Sequence, residues 1–186
     1  MTCLDVFRQH QDIGRLVFAG CLGRKEEAIK DILRTCDMYN LKCDLNTCFC
    51  MQIGPSLFGE ETHYSEGNVT PLFALVLSTL KAASNDPEDT NIIGCFQMLL
   101  EHSANPYNIC KLSEYRFPIQ VLQLDLDVRG LLKLCHMFGV GSAITMERLE
   151  TTLDIFEMKM GLQELSTATQ PDEFRFLEES QHKMCA

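Results

Sequence analysis

The sequence predicts an all-α fold. Apolar residues recur at helical spacing through most of the chain, and residues that open and end helices bracket those stretches. Alternating β-branched runs are almost absent. Hydrophobic residues make up 46% and charged residues 23% of the 186, a balance that suits a packed core better than a disordered chain.

The central helix pair is the clearest. Thr70-Pro71-Leu72-Phe73-Ala74-Leu75 opens its first helix, over 71–83. Thr70 is placed to cap, and Pro71 falls at the first helical position, where its missing N–H costs nothing. Residues 84–90 read as a turn, with Asp89 or Thr90 capping the partner helix over 91–102. That helix presents Ile92, Phe96, Leu99 and Leu100 on one face and ends at Leu99-Leu100-Glu101-His102-Ser103-Ala104-Asn105-Pro106, where His102 is placed to cap carbonyls.

Upstream, Gly14 to Gly23 predicts one helix and 25–36 another, followed by a turn at Lys42-Cys43-Asp44-Leu45-Asn46. The helical pattern then disappears from 47 to 69, where Gly54, Pro55, Gly59 and Gly67 predict a long loop. A third unit begins at Phe117-Pro118-Ile119-Gln120-Val121-Leu122, read as a first helix. A second helix over 127–138, with Val128, Leu131, Leu132 and Cys135 buried, is stopped by Gly139 and Gly141. Met146, Leu149, Leu153, Phe156 and Met160 then repeat at spacings of three and four. They predict an amphipathic capping helix over 143–165, with Thr145 as its N-cap. Residues 166–186 are expected to form a weakly ordered tail.

The order TPLFAL followed by LLEHSANP resembles one ankyrin repeat with a stretched middle. The resemblance extends more loosely over roughly residues 12–142, within a domain of residues 1–142 with units near 12–46, 67–108 and 115–142. It implies a short, irregular ankyrin-like stack of helix pairs, and a non-enzymatic role in binding another protein. A small modulator or mimic of a larger ankyrin protein would fit. In that family the turn fingers carry the contact surface. Here they would be Gly67-Asn68-Val69, Asn105-Pro106-Tyr107-Asn108 and Tyr115-Arg116, which makes Asn68, Tyr107, Asn108, Tyr115 and Arg116 the candidate binding residues. Ser103 stands where the family has a glycine in the left-handed turn.

The net charge of −10 offers no basic field for phosphates, so nucleic acid is not expected as a partner, and the lack of a long apolar run predicts no membrane either. No secretory segment is visible and no apolar run is long enough to span a bilayer, which predicts a cytoplasmic or nuclear location. The ten cysteines then read as reduced thiols. Cys36, Cys43, Cys48 and Cys50, with His63, carry the ligand types of a zinc site, but no CxxC spacing supports one. No phosphate-binding, dinucleotide or metalloprotease motif occurs, so no enzyme activity and no cofactor is expected. A second reading makes the chain a structural subunit, associating permanently through the apolar stripe of its C-terminal helix.

Overall fold

The computed structural model describes residues 3–53, 63–82, 90–116 and 119–168. Among these residues six helices and four strands follow one another as two helix pairs, each leading into a β-hairpin, and then two more helices. The first pair is α1 (Cys3–Leu22) and α2 (Glu26–Met38), and the second is α3 (Pro71–Ala82) and α4 (Thr90–Glu101). After the second hairpin come α5 (Val128–Phe138) and α6 (Ala143–Ala168).

The pairs stack. The helix α3 packs on α1 and on α5, while α4 packs on α2 and on its own partner α3. That position explains the composition of α3: Pro71 to Leu77 are all buried, as a helix surrounded by neighbours requires. Thr70 accepts a hydrogen bond from the Phe73 amide at 3.4 Å, so it caps as its sequence context predicts. Helix α5 is capped by Asp127, whose carboxylate accepts from the Gly130 amide at 2.7 Å, and ends at Gly139 in the left-handed region, φ 64°.

The all-α expectation is wrong, because the chain carries a four-stranded antiparallel sheet in the order β1-β2-β3-β4. Its strands are β1 (Phe49–Ile53), β2 (His63–Val69), β3 (Cys110–Arg116) and β4 (Ile119–Leu126). The patternless loop at 47–69 is in part β1 and β2. The segment 119–126, read as the start of a helical third unit, is β4, and the helix after it is the first of the third unit rather than the second. Proline explains the error, since it is tolerated both at the first turn of a helix and at the start of a strand.

The missed signal has a period of two. Phe49-Cys50-Met51-Gln52-Ile53 and Leu122-Gln123-Leu124-Asp125-Leu126 each alternate apolar or soft residues with polar ones, as a half-buried strand does. Alternation sorts the sheet into two faces. The row Met51, Gly67, Leu112, Leu124 runs across all four strands on one face, with Leu112 fully buried. Nearer the helices, the Phe49 ring meets Phe18 of α1, with centroids 4.9 Å apart.

Glycine sets how closely the first hairpin base approaches α1. A Cβ on Gly14 would stand 2.5 Å from the Asp44 carbonyl oxygen, nearer than atoms tolerate. Helix α6 begins at Ala143, so Thr145 is not its N-cap but a buried residue of its first turn. The chain divides into two units, residues 1–152 and 153–186. Within the first unit Met146 and Leu149 are buried, while in the second Ile155, Met158 and Met160 are exposed. The predicted turn at 84–89, the residues Phe117 and Pro118, and the tail from 169 onward lie outside the described residues. No helix among the described residues is long and apolar enough to cross a membrane.

Candidate functional site: the hairpin bases and the polar face of the sheet

Each helix pair ends in a left-handed residue that turns the chain toward its hairpin. After α2 it is Asn40, φ 50°, and after α4 it is Ser103, φ 69°. Both ends close in the same way. The Asn40 and Leu41 amides donate to the Asp37 and Cys36 carbonyls; those of Ser103 and Ala104 donate to Leu100 and Leu99. These are Schellman endings, which satisfy the last free carbonyls of a helix. Ser103 therefore holds the conformation its glycine equivalent would.

The two hairpin bases are stitched together by asparagines. Asn46 of the first base donates through Nδ2 to the Ser103 carbonyl at 3.0 Å, and its Oδ1 accepts from the Asn105 amide at 2.8 Å. The same Oδ1 accepts from Asn108 Nδ2 at 3.2 Å. Asn105 completes the second base, its Oδ1 accepting from the Tyr107 amide at 2.9 Å and its Nδ2 donating to Asn108 at 3.1 Å. The first base is closed locally by Asp44, which accepts from the Asn46 and Thr47 amides and from the Thr47 hydroxyl. Below this network, His102 contacts the Met98 carbonyl at 2.8 Å through Nδ1 and the Asp37 carboxylate of α2 at 3.1 Å through Nε2. It thus caps α4, as its position in the sequence predicts, and also ties α4 to α2.

The candidate binding residues fall into three groups. Tyr107 is 51% exposed on the second base, and its neighbour Ile109, which the sequence reading passed over, is 59% exposed. Asn108 is occupied by the asparagine network, so its role is to hold the base. Tyr115 and Arg116 are not turn residues: they sit in β3, paired with Tyr64 and His63, and their side chains lie outside the described residues. A strand rises ~3.3 Å per residue, which puts the two ends of β3 roughly 20 Å apart. Tyr107 and Arg116 therefore do not bracket one turn.

Asn68 belongs to the outward face of the sheet. Two rows cross it in register: Cys50, Asn68, Lys111, Asp125 and Gln52, Glu66, Ser113, Gln123. Six of these residues, with Met51 and Gly67, line a shallow depression of about 420 Å³. Ile109, one residue ahead of β3, has the same parity as Lys111 and Ser113. The apolar pair on the base and the polar rows thus adjoin. Ile109 could be placed only once the structure showed Cys110 buried, which turns its neighbour outward.

The five suggested metal ligands are scattered. Cys36 and Cys43 share a hydrogen bond at the first base, and Cys48 shares one with Cys110. Cys50 lies on the outward face, and His63 lies in β2 opposite Arg116, its side chain outside the described residues. Among the described residues no three of His, Cys, Asp and Glu gather as metal ligands would. Burial pushes the Cys110 and Cys135 thiols up to about 11 and that of Cys43 up to about 12. Such thiols are protonated at neutral pH and poor nucleophiles. Comparison with protein-family models, curated proteins and solved structures gave no match.

Proposed function

We propose that the chain is a non-catalytic protein-binding module of the ankyrin-like kind, working in a reducing compartment, the cytoplasm or nucleus. Its contact surface is the second hairpin base and the outward sheet face beside it. Tyr107 and Ile109 carry this reading: two large apolar side chains stand exposed on a turn fixed by at least four hydrogen bonds of Asn46, Asn105 and Asn108. A pre-fixed turn spares a complex the entropy of ordering it. Tyrosine supplies contact area with few rotatable bonds. The stacked helix pairs and the free thiols also support the reading. The depression is shallow and open, which suits a protein surface better than a small substrate.

The test is affinity capture with the intact chain and with a Tyr107→Ala, Ile109→Ala variant. A partner retained by the first should bind the second at least tenfold more weakly, about 1.4 kcal/mol, while the thermal midpoint stays put. Undiminished binding would refute this surface.

A second reading has its own observation. Ile155 and Met158, three residues apart on one side of α6, are exposed in the C-terminal unit, and an apolar pair of this kind suits a permanent oligomer. Light scattering separates the readings: a monomer supports the transient binder, and a stable oligomer broken by Met158→Glu supports the subunit.

A further inference from the structure

The strand β4 is an outer strand of the sheet, paired on one side with β3 and at the end of the strand order. We infer that its outer edge receives an extended segment of a partner protein, antiparallel, with apolar residues alternating with basic ones. The inference rests on the reading of the chain as a protein-binding module, and names the surface and the chemistry of the partner.

The sheet already contains the interaction it would repeat. Strand β2 closes the first hairpin, and its outer edge receives β3 of the second, Asn68 standing opposite Lys111. Strand β4 closes the second hairpin in the same way. Phe49 pairs with Val69 in one hairpin and Cys110 with Leu126 in the other, so Asp125 occupies the place of Asn68. Among the described residues no third hairpin follows: β4 leads directly into α5. An edge that accepts a strand in one repeat is thus presented again, with no further strand on it among the described residues.

Length and charge decide between the two outer strands. Among the described residues β4 has eight against five in β1, and short edges are one way proteins protect themselves from added strands. β4 carries neither lysine nor proline, the usual blocking residues. The bulge between Glu114 and Tyr115 affects only its start, so the ladder from Leu122 to Leu126 is regular. Across that stretch Leu124 and Leu126 lie on the inner face and Asp125 on the outer. An added strand would therefore set apolar side chains beside the two leucines and a cation beside Asp125. The chain's net charge of −10 favours a basic partner and opposes a second copy of itself.

Hydrogen exchange on the intact chain tests this with nine-residue peptides of alternating valine and lysine, alternating valine and glutamate, and the lysine peptide with its order scrambled. The lysine peptide should slow exchange of the 122–126 amides at least tenfold and bind at least tenfold more tightly than the other two. Asp125→Lys should reverse the preference between lysine and glutamate peptides. No protection at millimolar peptide, protection on β1 instead, or equal affinity for the glutamate peptide would each overturn the proposal. Protection of β4 that needs no peptide and grows with protein concentration would also overturn it, in favour of a second copy. None of these results depends on Tyr107 or Ile109, so the proposed contact surface stands or falls separately.

Discussion

The two hairpin bases occupy the same place in successive units and are built for different tasks. The first folds inward. Leu45 is fully buried, Asp44 closes the turn on itself, and the Asn46 side chain reaches across to the neighbouring base. The second is held from outside: its own Ala104 and Pro106 are buried, and Tyr107 and Ile109 point away. One base acts as a clamp and the other as a platform. Hydrogen bonds concentrate where rigidity is needed, and apolar side chains are left exposed only on the turn that those bonds fix.

The asymmetry has a direct test. Asn46→Ala removes hydrogen bonds to Ser103, Asn105 and Asn108 at once. Each such bond contributes about 0.5–1.5 kcal/mol, and partial exposure keeps the sum near the low end. Urea unfolding should show a loss of about 2 kcal/mol. Asn108→Ala should cost about 1 kcal/mol, since Asn46 keeps its other partners. Equal losses would mean that the second base holds itself and that the clamp is not one-sided.

The bases also differ in how their thiols resist alkali. Cys43 beside the first is pushed up to about 12, chiefly by burial, and Cys110 beneath the second up to about 11. Both folded values exceed the ordinary thiol value of 9.0, so the unfolded chain releases these protons first. Stability is therefore intact below pH 9 and falls as the pH rises from there toward 11 and 12. Cys110→Val should flatten the part of this fall below about pH 11, and Cys43→Val the part that continues toward pH 12. A wild-type chain equally stable at pH 8 and pH 11 would mean that neither thiol is desolvated.

The sequence showed the helices well and the sheet hardly at all. Periodicity near 3.6 located the helices that bury one stripe, such as α2 and α5, the continuous apolar run of α3 marked a helix buried on more than one side, and Thr70-Pro71 and Gly139 marked ends with their own chemistry. The strands are short, and β1 and β2 are rich in cysteine, glycine and serine rather than in β-branched residues. The two hairpins also pair with each other through β2 and β3, and no local pattern reports a contact such as Asn68 with Lys111. For the site the outcome splits in the same way. Tyr107 could be found from residue type and place in a turn. Ile109, Lys111 and Asp125 became visible only with the register that puts them on one face.

The smallest expected effect separates the left-handed residues that open the two bases. Asn40 and Ser103 share a positive φ and the same pair of carbonyl contacts. They differ in how readily the side chain accepts that conformation. Asparagine visits the left-handed region routinely, whereas serine with its Cβ is strained there by roughly 1–2 kcal/mol. Glycine has no such strain but loses more entropy on folding, up to about 1 kcal/mol. Ser103→Gly should therefore raise stability by about 0.5–1 kcal/mol, read as a higher urea midpoint at unchanged slope. Asn40→Gly should change it by less than about 0.5 kcal/mol. If both substitutions stabilise equally, the first base carries the same strain as the second and the clamp has no conformational advantage. If Ser103→Gly destabilises, the platform depends on the serine side chain itself, and the exposure of Tyr107 and Ile109 should be lost with it.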